Sequence, residues 1–395
     1  MTEIVKDKKL CTGCAACVQV CKQDAVKMNA DDEGFLFPDI NEERCLDCGL
    51  CRKTCPINTA LDEQQEKGVY ACFSNDEDIR RNSSSGGIFS LLAQSVLSRS
   101  GVVFGAEFDE SFRVRHNYIE NIGRLDALRR SKYVQSDVGD TYKKAEKFLD
   151  EGRMVLFTGT PCQIAGLKAL LKKKYENLLT CDLACHGVPS PKIWGMYLDF
   201  IKEKYQDEIS AISFRDKSTG WNNSSMRIDF KNGRQYREKV KRETFFIGFG
   251  KCIFNRNSCF NCKFRIQNTK ADITLADFWG IDKQNDKNFT DNKGVSLVIT
   301  HTESGEAAMS LLTAGICIKE RNLSEVLAGN PRLISSCSLP NGRKSFFNDL
   351  KSGFTFDKLG KKYMDNSSIK YKVKCLVKFI LNPELIKKVR DFIKT

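Results

Sequence analysis

The sequence lacks any apolar run approaching about twenty residues, the length with which a helix spans a bilayer. It also lacks an N-terminal segment with the charged, apolar and small-residue regions of a secretory signal. We therefore expect a cytoplasmic protein with no transmembrane segment. In that reducing compartment, the 18 cysteines indicate metal ligation rather than disulfide bonds.

Acidic residues are too few to balance the basic ones, because 63 lysines and arginines face 50 aspartates and glutamates, which leaves a net charge of +13. No recognised nucleic-acid-binding motif accompanies this charge, so we expect no nucleic-acid partner. A positive field attracts acidic electron carriers, and a ferredoxin or flavodoxin-like protein is the expected partner. The 395 residues are enough for two or three domains, each with its own core.

The cysteines near the N-terminus form two runs with the same spacing. Three thiolates two residues apart can bind three corners of one iron-sulfur cube, and a fourth cysteine further on reaches the neighbouring cube. The runs therefore predict two [4Fe-4S] clusters with exchanged ligands: Cys11, Cys14, Cys17 and Cys55 for the first, and Cys45, Cys48, Cys51 and Cys21 for the second.

Two zinc knuckles are the alternative, but zinc sites use closed sets of four ligands, which the repeated triple spacing followed by Pro56 fits poorly. The first run departs from the usual pattern, because Lys22 rather than proline follows Cys21. Residues 1–62 resemble the bacterial two-cluster ferredoxin module, which implies an α+β ferredoxin-like domain. Its clusters would move one electron at a time, so the remaining chain should supply or consume those electrons.

Beyond a polar linker at 61–67, predicted strands alternate with predicted helices, which indicates an α/β domain with a mixed sheet. A hairpin is expected across Asn232-Gly233. Further strands are expected at 69–73, 102–108, 112–119, 154–157, 178–183, 209–214, 226–230, 273–276, 295–300 and 316–320, and helices at 86–97, 142–149, 164–171 and 193–205.

We divide this region into two parts of one catalytic region, residues 69–150 and residues 151–340. Residues 341–395 carry short amphipathic stretches with an excess of lysine. They are expected to form a short, basic helical tail, either solvated or in peripheral contact with a membrane surface or a partner.

Two turns at predicted helix starts carry small and hydroxyl residues. Ser83-Ser84-Ser85-Gly86-Gly87 offers hydroxyls and backbone amides at a positive helix terminus, which suits a phosphate or pyrophosphate. Thr158-Gly159-Thr160-Pro161 follows a buried strand and opens a helix, which is where α/β sheets bind ligands. Serine is also an ordinary helix cap and glycine an ordinary turn residue, so both turns have a purely structural interpretation as well.

Four later cysteines have metal-ligand potential. Cys259 and Cys262 have the usual chelating spacing, although such pairs also occur by chance. Cys162 and Cys185 follow predicted strands and could complete a four-thiolate site with them. From spacing alone, buried structural thiols are an equally good interpretation.

The region 69–335 resembles the coenzyme F420 hydrogenase/dehydrogenase beta-subunit family in an ordered set of motifs: 83–87, Ser131-Lys132-Tyr133, 159–162, Cys185-His186-Gly187, Cys259-x-x-Cys262 and Ala271-Asp272-Ile273. The resemblance implies an FAD-binding α/β fold with a third [4Fe-4S] cluster, held here by Cys162, Cys185, Cys259 and Cys262. It also implies FAD contacts by Ser83, Ser85, Gly86, Gly87, Lys132, Tyr133, Thr158, Gly159, Thr160 and Pro161.

Two residues are candidate catalytic groups beside that flavin. Lys132 would place positive charge near the reducible edge of the flavin or a phosphate, with a surface lysine as the alternative. His186 would donate protons, with a hydrogen-bonded structural histidine as the alternative. Cys181 and Cys252 are extra cysteines beyond the four ligands that the resemblance implies, and either could take the place of one of them. The ligand pocket is expected to be walled by Asp272, Asp277 and Trp279.

These expectations combine into an iron-sulfur flavoprotein oxidoreductase. A two-electron small-molecule substrate, either coenzyme F420 or another organic molecule, would exchange electrons with FAD, which converts between pairs of electrons and single electrons. The three clusters would connect FAD to a ferredoxin-like partner. The alternative is a non-catalytic electron-transfer subunit of a larger redox complex. The family leaves the substrate and the direction of flow open.

Overall fold

The computed structural model describes residues 3–60, 63–284 and 286–365. The strands are β1 (Val26–Ala30), β2 (Leu36–Ile40), β3 (Gly68–Ser74), β4 (Val102–Phe108), β5 (Val114–Ile119), β6 (Val155–Thr158), β7 (Leu178–Leu183), β8 (Ile209–Asp216), β9 (Ser225–Phe230), β10 (Gln235–Lys239), β11 (Ile273–Asp277), β12 (Ser296–Thr300) and β13 (Ile316–Glu320). The α-helices are α1 (Ala16–Gln19), α2 (Leu50–Thr54), α3 (Glu77–Arg81), α4 (Ile88–Leu97), α5 (Leu125–Leu128), α6 (Thr141–Asp150), α7 (Pro161–Leu171), α8 (Pro191–Tyr205), α9 (Thr244–Gly250), α10 (Glu303–Ser310), α11 (Leu323–Leu327), α12 (Arg343–Lys351) and α13 (Phe356–Leu359). Short 3₁₀ turns lie between these elements.

The N-terminal segment is a small α+β unit, as the cysteine runs predict. Strands β1 and β2 pair antiparallel, and α1 and α2 each follow the start of one cysteine run. Both helices begin after a residue with positive φ, Ala15 at 57° and Gly49 at 70°. This left-handed step turns each cysteine loop back toward its helix. The β1–β2 pair has no counterpart among the predicted strands.

The large domain is built on a mixed eight-stranded sheet in the order β13-β3-β12-β11-β7-β6-β4-β5. Its centre is parallel, because β11, β7, β6 and β4 run in one direction, and its edges are antiparallel. Strands from both sides of residue 150 lie together in this sheet, so 69–150 and 151–340 form one folded unit. The expected mixed α/β architecture is confirmed.

A second, three-stranded antiparallel sheet has the order β10-β9-β8, and its hairpin turns at Asn232-Gly233 as predicted. Gly233 has φ of 86°, a conformation that glycine adopts without strain. An aromatic core packs behind this sheet, and its largest fully buried members include Trp194, Tyr197, Phe214, Phe245 and Phe254.

The expected tail begins inside this aromatic core. Helices α12 and α13 and the π-helical turn Gly360–Met364 bury their apolar side chains against α8 and α9. Residues 343–364 are therefore part of the large domain rather than a solvated tail. The lysine-rich stretch 370–394 lies outside the described residues. In the part of the chain that the structure describes, no helix is long and apolar enough to cross a membrane.

Arg256 fastens the N-terminal segment to the large domain. Its guanidinium, 1% exposed, donates to the main-chain oxygens of Cys11 and Leu36 at 2.8 Å each and to Gln135 Oε1 at 3.1 Å. It also lies over the Phe37 ring, 4.2 Å from the ring centroid. A buried charge is costly unless its donors are bonded, so these contacts fix the position of the segment.

Candidate functional site

The first set of thiols surrounds one cavity. Its wall contains Cys11, Cys14 and Cys17 of the first run together with Cys55 of the second run. Burial raises the pKa of the Cys14 thiol to about 12, and the nearby Cys11 and Cys55 raise it further. A metal cluster would supply the positive charge needed to hold these sulfurs as thiolates. The structure thus brings together the four residues expected for the first cluster.

The second set is closer to the surface. Burial, with Cys45 and Cys21 as charged neighbours, raises the pKa of Cys51. Cys21 of the first run therefore lies with the second run, as the exchanged spacing predicts. Cys48 is exposed, and Leu46 beside it is 71% exposed. This set is consequently the one that a partner protein can approach.

The third set combines cysteines from three separate places in the chain. Cys162 lies in the first turn of α7, Cys185 follows β7, and Cys259 and Cys262 lie in and just after the 3₁₀ turn Asn257–Asn261. Burial raises the pKa of Cys185 to about 12, and Cys162 and Cys262 add to the rise. Burial also raises the pKa of Cys259, with contributions from Cys185, Cys262 and Cys162.

Backbone donors already point at two of these sulfurs. The amide of Gly187 donates to Cys185 Sγ and the amide of Val188 donates to Cys259 Sγ, each at 3.4 Å. Such donors favour the thiolate form that binds iron and tune cluster potentials. The donor set therefore fits a four-thiolate iron-sulfur site. Among residues 3–60, 63–284 and 286–365, no three His, Cys, Asp or Glu side chains converge tightly enough for a single metal ion.

The third and first sets are neighbours. Burial raises the pKa of Cys162 to about 12, and Cys14 of the N-terminal segment is among the thiols that add to this rise. One helical turn further along α7, Gly166 leaves room for Cys14, because a β-carbon there would lie 3.1 Å from both Cys14 Cβ and Cys14 Sγ. The third set therefore lies next to the first set, and the second set, with the exposed Cys48, lies closest to the surface.

The serine-glycine turn is held by bonds within the protein. Ser83 Oγ donates to the oxygen of Ile79, and Ser85 Oγ donates to the oxygen of Val295 at 2.7 Å. The Gly86 amide donates to Ser296 Oγ at 3.0 Å. Gly87, with φ of 98°, precedes α4. Two of the expected hydroxyls and one expected amide thus have hydrogen-bond partners within the protein, and their contact with FAD stays a prediction.

The turn 158–161 is occupied in the same way. The Gly159 amide donates to the oxygen of Cys181 at 3.1 Å, and the Thr160 amide donates to Gln163 Oε1 at 2.9 Å. Thr158 Oγ1 donates to the oxygen of Phe104, and Pro161 has no amide hydrogen. Thr160 and Gln163 form a capping box for α7. The turn orients Cys162, and its backbone donors are not free.

Positive side chains gather around the serine-glycine turn instead. Lys217 Nζ donates to the main-chain oxygens of Arg80 and Ser85 at 2.6 and 2.8 Å. Burial lowers the pKa of Lys217 to about 7, and Arg215, Arg80 and Arg130 lower it further. Lys132 Nζ donates to the oxygen of Arg129 at 2.9 Å. Burial, aided by Arg130, lowers its pKa to about 7 as well.

Both lysines therefore bond to main-chain oxygens, and their ammonium forms are disfavoured by burial and by neighbouring guanidinium groups. An anion at this position would restore their ordinary pKa values. Lys132, Lys217 and Arg130 form one positively charged cluster, which lies where Ser84 Oγ accepts from the amide of Ser131 at 2.8 Å.

An aromatic and charged wall adjoins this cluster. Trp221 and Trp279 stack at 4.7 Å with an interplanar angle of 5°. Trp221 Nε1 donates to Asp277 Oδ1 at 2.8 Å, and Arg215 pairs with the other oxygen of Asp277. The Tyr133 ring meets Phe214 and Phe246 edge to face. Asp277 and Trp279 thus lie together, and their role as walls of a ligand pocket stays a prediction.

Asp272 and His186 lie elsewhere. Asp272 accepts from Thr180 and from Thr302 Oγ1 within the sheet, so it belongs to a buried polar network and is not part of that wall. His186 Nε2 lies 3.3 Å from Cys252 Sγ, and its ring meets Phe249 at 4.9 Å. Burial lowers the pKa of His186. These contacts match the structural alternative for this histidine.

Comparison with known proteins identifies both parts of the chain. The family model for the C terminus of the coenzyme F420 hydrogenase/dehydrogenase beta subunit matches residues 152–326. The 4Fe-4S dicluster domain model matches residues 10–59. Residues 10–59 therefore form a 4Fe-4S dicluster domain, and residues 152–326 are similar to the C terminus of the F420 hydrogenase/dehydrogenase beta subunit. The predicted resemblance is confirmed to this extent.

Three similar proteins illustrate the match. The coenzyme F420-dependent sulfite reductase of Methanocaldococcus jannaschii is 27% identical over 218 residues, which is 52% of this chain and 32% of that protein. Ferredoxin 7Fe of Hydrogenibacillus schlegelii is 30% identical over 63 residues, 16% of this chain and 74% of that protein. The F420-reducing [NiFe] hydrogenase complex from Methanosarcina barkeri, determined with xenon derivatization, contains a chain with a TM-score of 0.45 and 17% identity, and the match covers 76% of this chain and 92% of that one.

The chain thus spans about a third of the length of the sulfite reductase. The positions of three residues near these sites could not be predicted from the sequence: Lys217, Arg256 and Cys337. Lys217 and Arg256 belong to no motif, and Cys337 stands alone in the sequence, but its Sγ lies 3.8 Å from the main-chain oxygen of Cys259. Their roles depend on contacts between residues far apart in the chain.

Proposed function

We propose that this protein is an iron-sulfur flavoprotein oxidoreductase of the F420 hydrogenase/dehydrogenase beta-subunit type. The observation that carries the proposal is the proximity of Cys162 and Cys14, which joins the thiol sets of the two family domains. Bound FAD would exchange electron pairs with a substrate, and bound [4Fe-4S] clusters would pass single electrons.

In this proposal the chain holds three clusters by three sets of four cysteines. The first set is Cys11, Cys14, Cys17 and Cys55, and the second is Cys21, Cys45, Cys48 and Cys51. The third set is Cys162, Cys185, Cys259 and Cys262. Arg256 keeps the first set in contact with the large domain, and the exposed Cys48 places the second set at the surface.

The FAD phosphates are proposed to bind at Lys132, Lys217 and Arg130, beside the serine-glycine turn. Two half-buried ammonium groups without a bonded carboxylate favour a bound anion. Lys132 and Tyr133 are adjacent in sequence, so the tyrosine would stand near the same cofactor. Ser83, Ser85 and Gly86 then support the turn rather than contact the phosphates.

The proposed substrate is an F420-like deazaflavin or another small organic redox molecule, in line with the name of the sulfite reductase relative. The proposed partner is a ferredoxin or flavodoxin-like carrier at the second cysteine set. A net charge of +13 supports an acidic partner. The protein would act in the cytoplasm, where its thiols stay reduced.

Anaerobic reconstitution of the full chain tests the proposal. Three clusters require about twelve irons and two require about eight, so we expect about twelve irons and one FAD per chain. Cys259→Ala should lose about four irons and keep FAD, whereas Cys181→Ala, another buried cysteine, should lose none. Eight irons in the unaltered protein would exclude the third cluster, and absence of FAD binding would exclude the flavoprotein.

The second candidate is a non-catalytic electron-transfer subunit. The match to the sulfite reductase favours this candidate, because about two thirds of that protein has no counterpart in this chain. Turnover separates the two functions. Reduction of bound flavin by reduced F420 or another soluble hydride donor, followed by reduction of ferredoxin, supports the enzyme. Full iron and flavin content without turnover supports the electron-transfer role.

A further inference from the structure

One buried side chain next to the third cysteine set has no partner. Asn255 is 0% exposed, and neither polar atom of its side-chain amide has a hydrogen-bond partner among the residues that the structure describes. An unpaired amide in a protein interior costs free energy, because it has lost its bonds to water and gained none in return. Such a group therefore indicates a bound partner or a functional role.

The Asn255 amide borders the same space as a cysteine of this set. A β-carbon at Gly187 would lie 2.7 Å from Asn255 Nδ2 and 3.2 Å from Cys259 Cβ. Gly187 has φ of 112°, a conformation that glycine adopts without strain. The absence of a side chain at this glycine thus leaves the space in which the amide lies beside Cys259.

The loop that contains this glycine already supplies two donors to the set. Its backbone amides donate to the sulfurs of Cys185 and Cys259, each at 3.4 Å. The same loop pairs with the segment that carries Asn255, because the amide of Arg256 donates to the main-chain oxygen of Val188 at 3.0 Å. Asn255 therefore lies next to two amides that serve the set and offers a third.

Arg343 fixes the backbone of Asn255. Its Nε and Nη2 donate to the main-chain oxygen of Asn255 at 3.0 and 2.9 Å, and its Nη1 donates to Glu33 Oε1 at 3.0 Å. Arg343 is itself buried. Glu33 lies in the turn between β1 and β2, so the N-terminal segment also helps to hold Asn255 in place.

We propose that the Asn255 amide donates a hydrogen bond to a sulfur of the [4Fe-4S] cluster in the third cysteine set and raises the reduction potential of that cluster. The inference rests on the proposed function, because it requires the third cluster. One-electron reduction makes a cluster more negative, and an N–H donor stabilises the added charge. The amide keeps its proton, so the step moves one electron and no proton. The third cluster thereby becomes a better acceptor of electrons from the flavin.

Redox titration of the anaerobic holoprotein, followed by electron paramagnetic resonance, tests the inference. The signal of the reduced third cluster is the one that Cys259→Ala lacks. Asn255→Leu and Asn255→Ala both remove the donor, and leucine also keeps the approximate size of the side chain. We expect both variants to keep about twelve irons and to shift the midpoint potential of this signal to a more negative value.

Asn330→Leu is the matched control. Asn330 is also a buried asparagine, at 6% exposed, but its Nδ2 donates to the main-chain oxygen of Val326 at 3.5 Å. This variant should leave the potential of the third cluster unchanged. An equal shift in Asn330→Leu would overturn the inference, because a general loss of core packing would then explain the change.

Iron analysis separates failure of this inference from failure of the proposed function. About eight irons and no third signal in the unaltered protein would remove the third cluster and the inference with it. About twelve irons with an unchanged potential in both Asn255 variants would leave the cluster in place and overturn the hydrogen bond. Loss of about four irons in both variants would also overturn it, because Asn255 would then hold the site together rather than set its potential.

Discussion

Gly166 of α7 lies directly against Cys14 of the N-terminal segment. A β-carbon at this glycine would come within 3.1 Å of the Cys14 sulfur and within 3.0 Å of the Tyr142 hydroxyl. The helix of the large domain and the first cysteine set are therefore in close contact, and the absence of a side chain at Gly166 leaves the space for Cys14.

The close approach makes Gly166→Ala a sensitive substitution. Although alanine favours a helix over glycine by about 1 kcal/mol, overpacking against Cys14 should destabilise the protein by about 1–3 kcal/mol. Gly195→Ala in α8 is the control, because a β-carbon there meets nothing within 4 Å. Anaerobic thermal unfolding should show a lower Tm for Gly166→Ala and an equal or higher Tm for Gly195→Ala. Equal effects would contradict the contact.

The exchange of ligands between the two runs predicts damage at a distance in sequence. Cys55→Ala should abolish the cluster otherwise held by the first run, because Cys55 lines the same cavity as Cys11 and Cys14. Cys21→Ala should affect the other cluster, since Cys21 neighbours Cys51. Electron paramagnetic resonance of the reduced proteins distinguishes the two. If each substitution removed the cluster of its own run, the exchange would be wrong.

Flavin binding should weaken as pH rises. In the protein without flavin, Lys132 and Lys217 have pKa values of about 7, and a bound phosphate favours their charged forms and raises both pKa values. Binding therefore takes up protons. Affinity is full below about pH 7 and falls as pH increases toward about 10, the ordinary lysine pKa. Fluorescence titration of FAD across the range from neutral to alkaline pH measures this slope.

Variants separate the lysines from other titrating groups. Lys217→Arg should flatten the slope, because arginine stays charged throughout this range. Lys132→Ala should weaken FAD binding at every pH in it. Lys173→Ala is the control, because its side chain is 62% exposed and pairs with Asp150. An unchanged slope in Lys217→Arg and unchanged affinity in Lys132→Ala would place the phosphates elsewhere.

The surface around Leu46 should govern exchange with the partner. Leu46→Asp should slow electron transfer to an acidic ferredoxin by about tenfold or more, because it replaces an apolar contact with a repelling charge beside Cys48. Leu311→Asp is the matched control, with Leu311 56% exposed against 71% for Leu46. Stopped-flow rates give the comparison, and equal slowing by both variants would locate docking elsewhere.

Local patterns in the sequence predicted much of this protein. The cysteine spacing indicated the exchanged sets, and alternating apolar runs predicted most strands of the large sheet, because both signals lie within a few residues. Contacts between distant segments were not predictable. Nothing near Arg256, Lys217 or Cys337 in the sequence shows that they contact Cys11, Ser85 and Cys259, respectively.

Hydrogen bonds add information where the sequence offered alternatives. Serines and glycines at a helix start indicate either a phosphate site or a cap, and the bonds from Ser85 to Val295 and from Gly86 to Ser296 favour the structural role. For His186, too, the contact that favours a structural role is with a distant residue, Cys252, and could not be predicted from the neighbouring sequence. The tail prediction was wrong for residues 343–364, since their aromatic side chains find partners in α8 and α9.

The buried Arg256 also limits how this protein can be rearranged in evolution. Its guanidinium donates to the main-chain oxygens of Cys11 and Leu36, and any ferredoxin-type segment of the same shape would offer such oxygens. The guanidinium also lies over the ring of Phe37, which another segment would offer only if it had an aromatic residue at that position. A gene fission that released the segment as an independent carrier would leave the permanently charged Arg256 without two of its acceptors, the main-chain oxygens of Cys11 and Leu36. Replacement by an unrelated ferredoxin would require a matching aromatic residue at the same position.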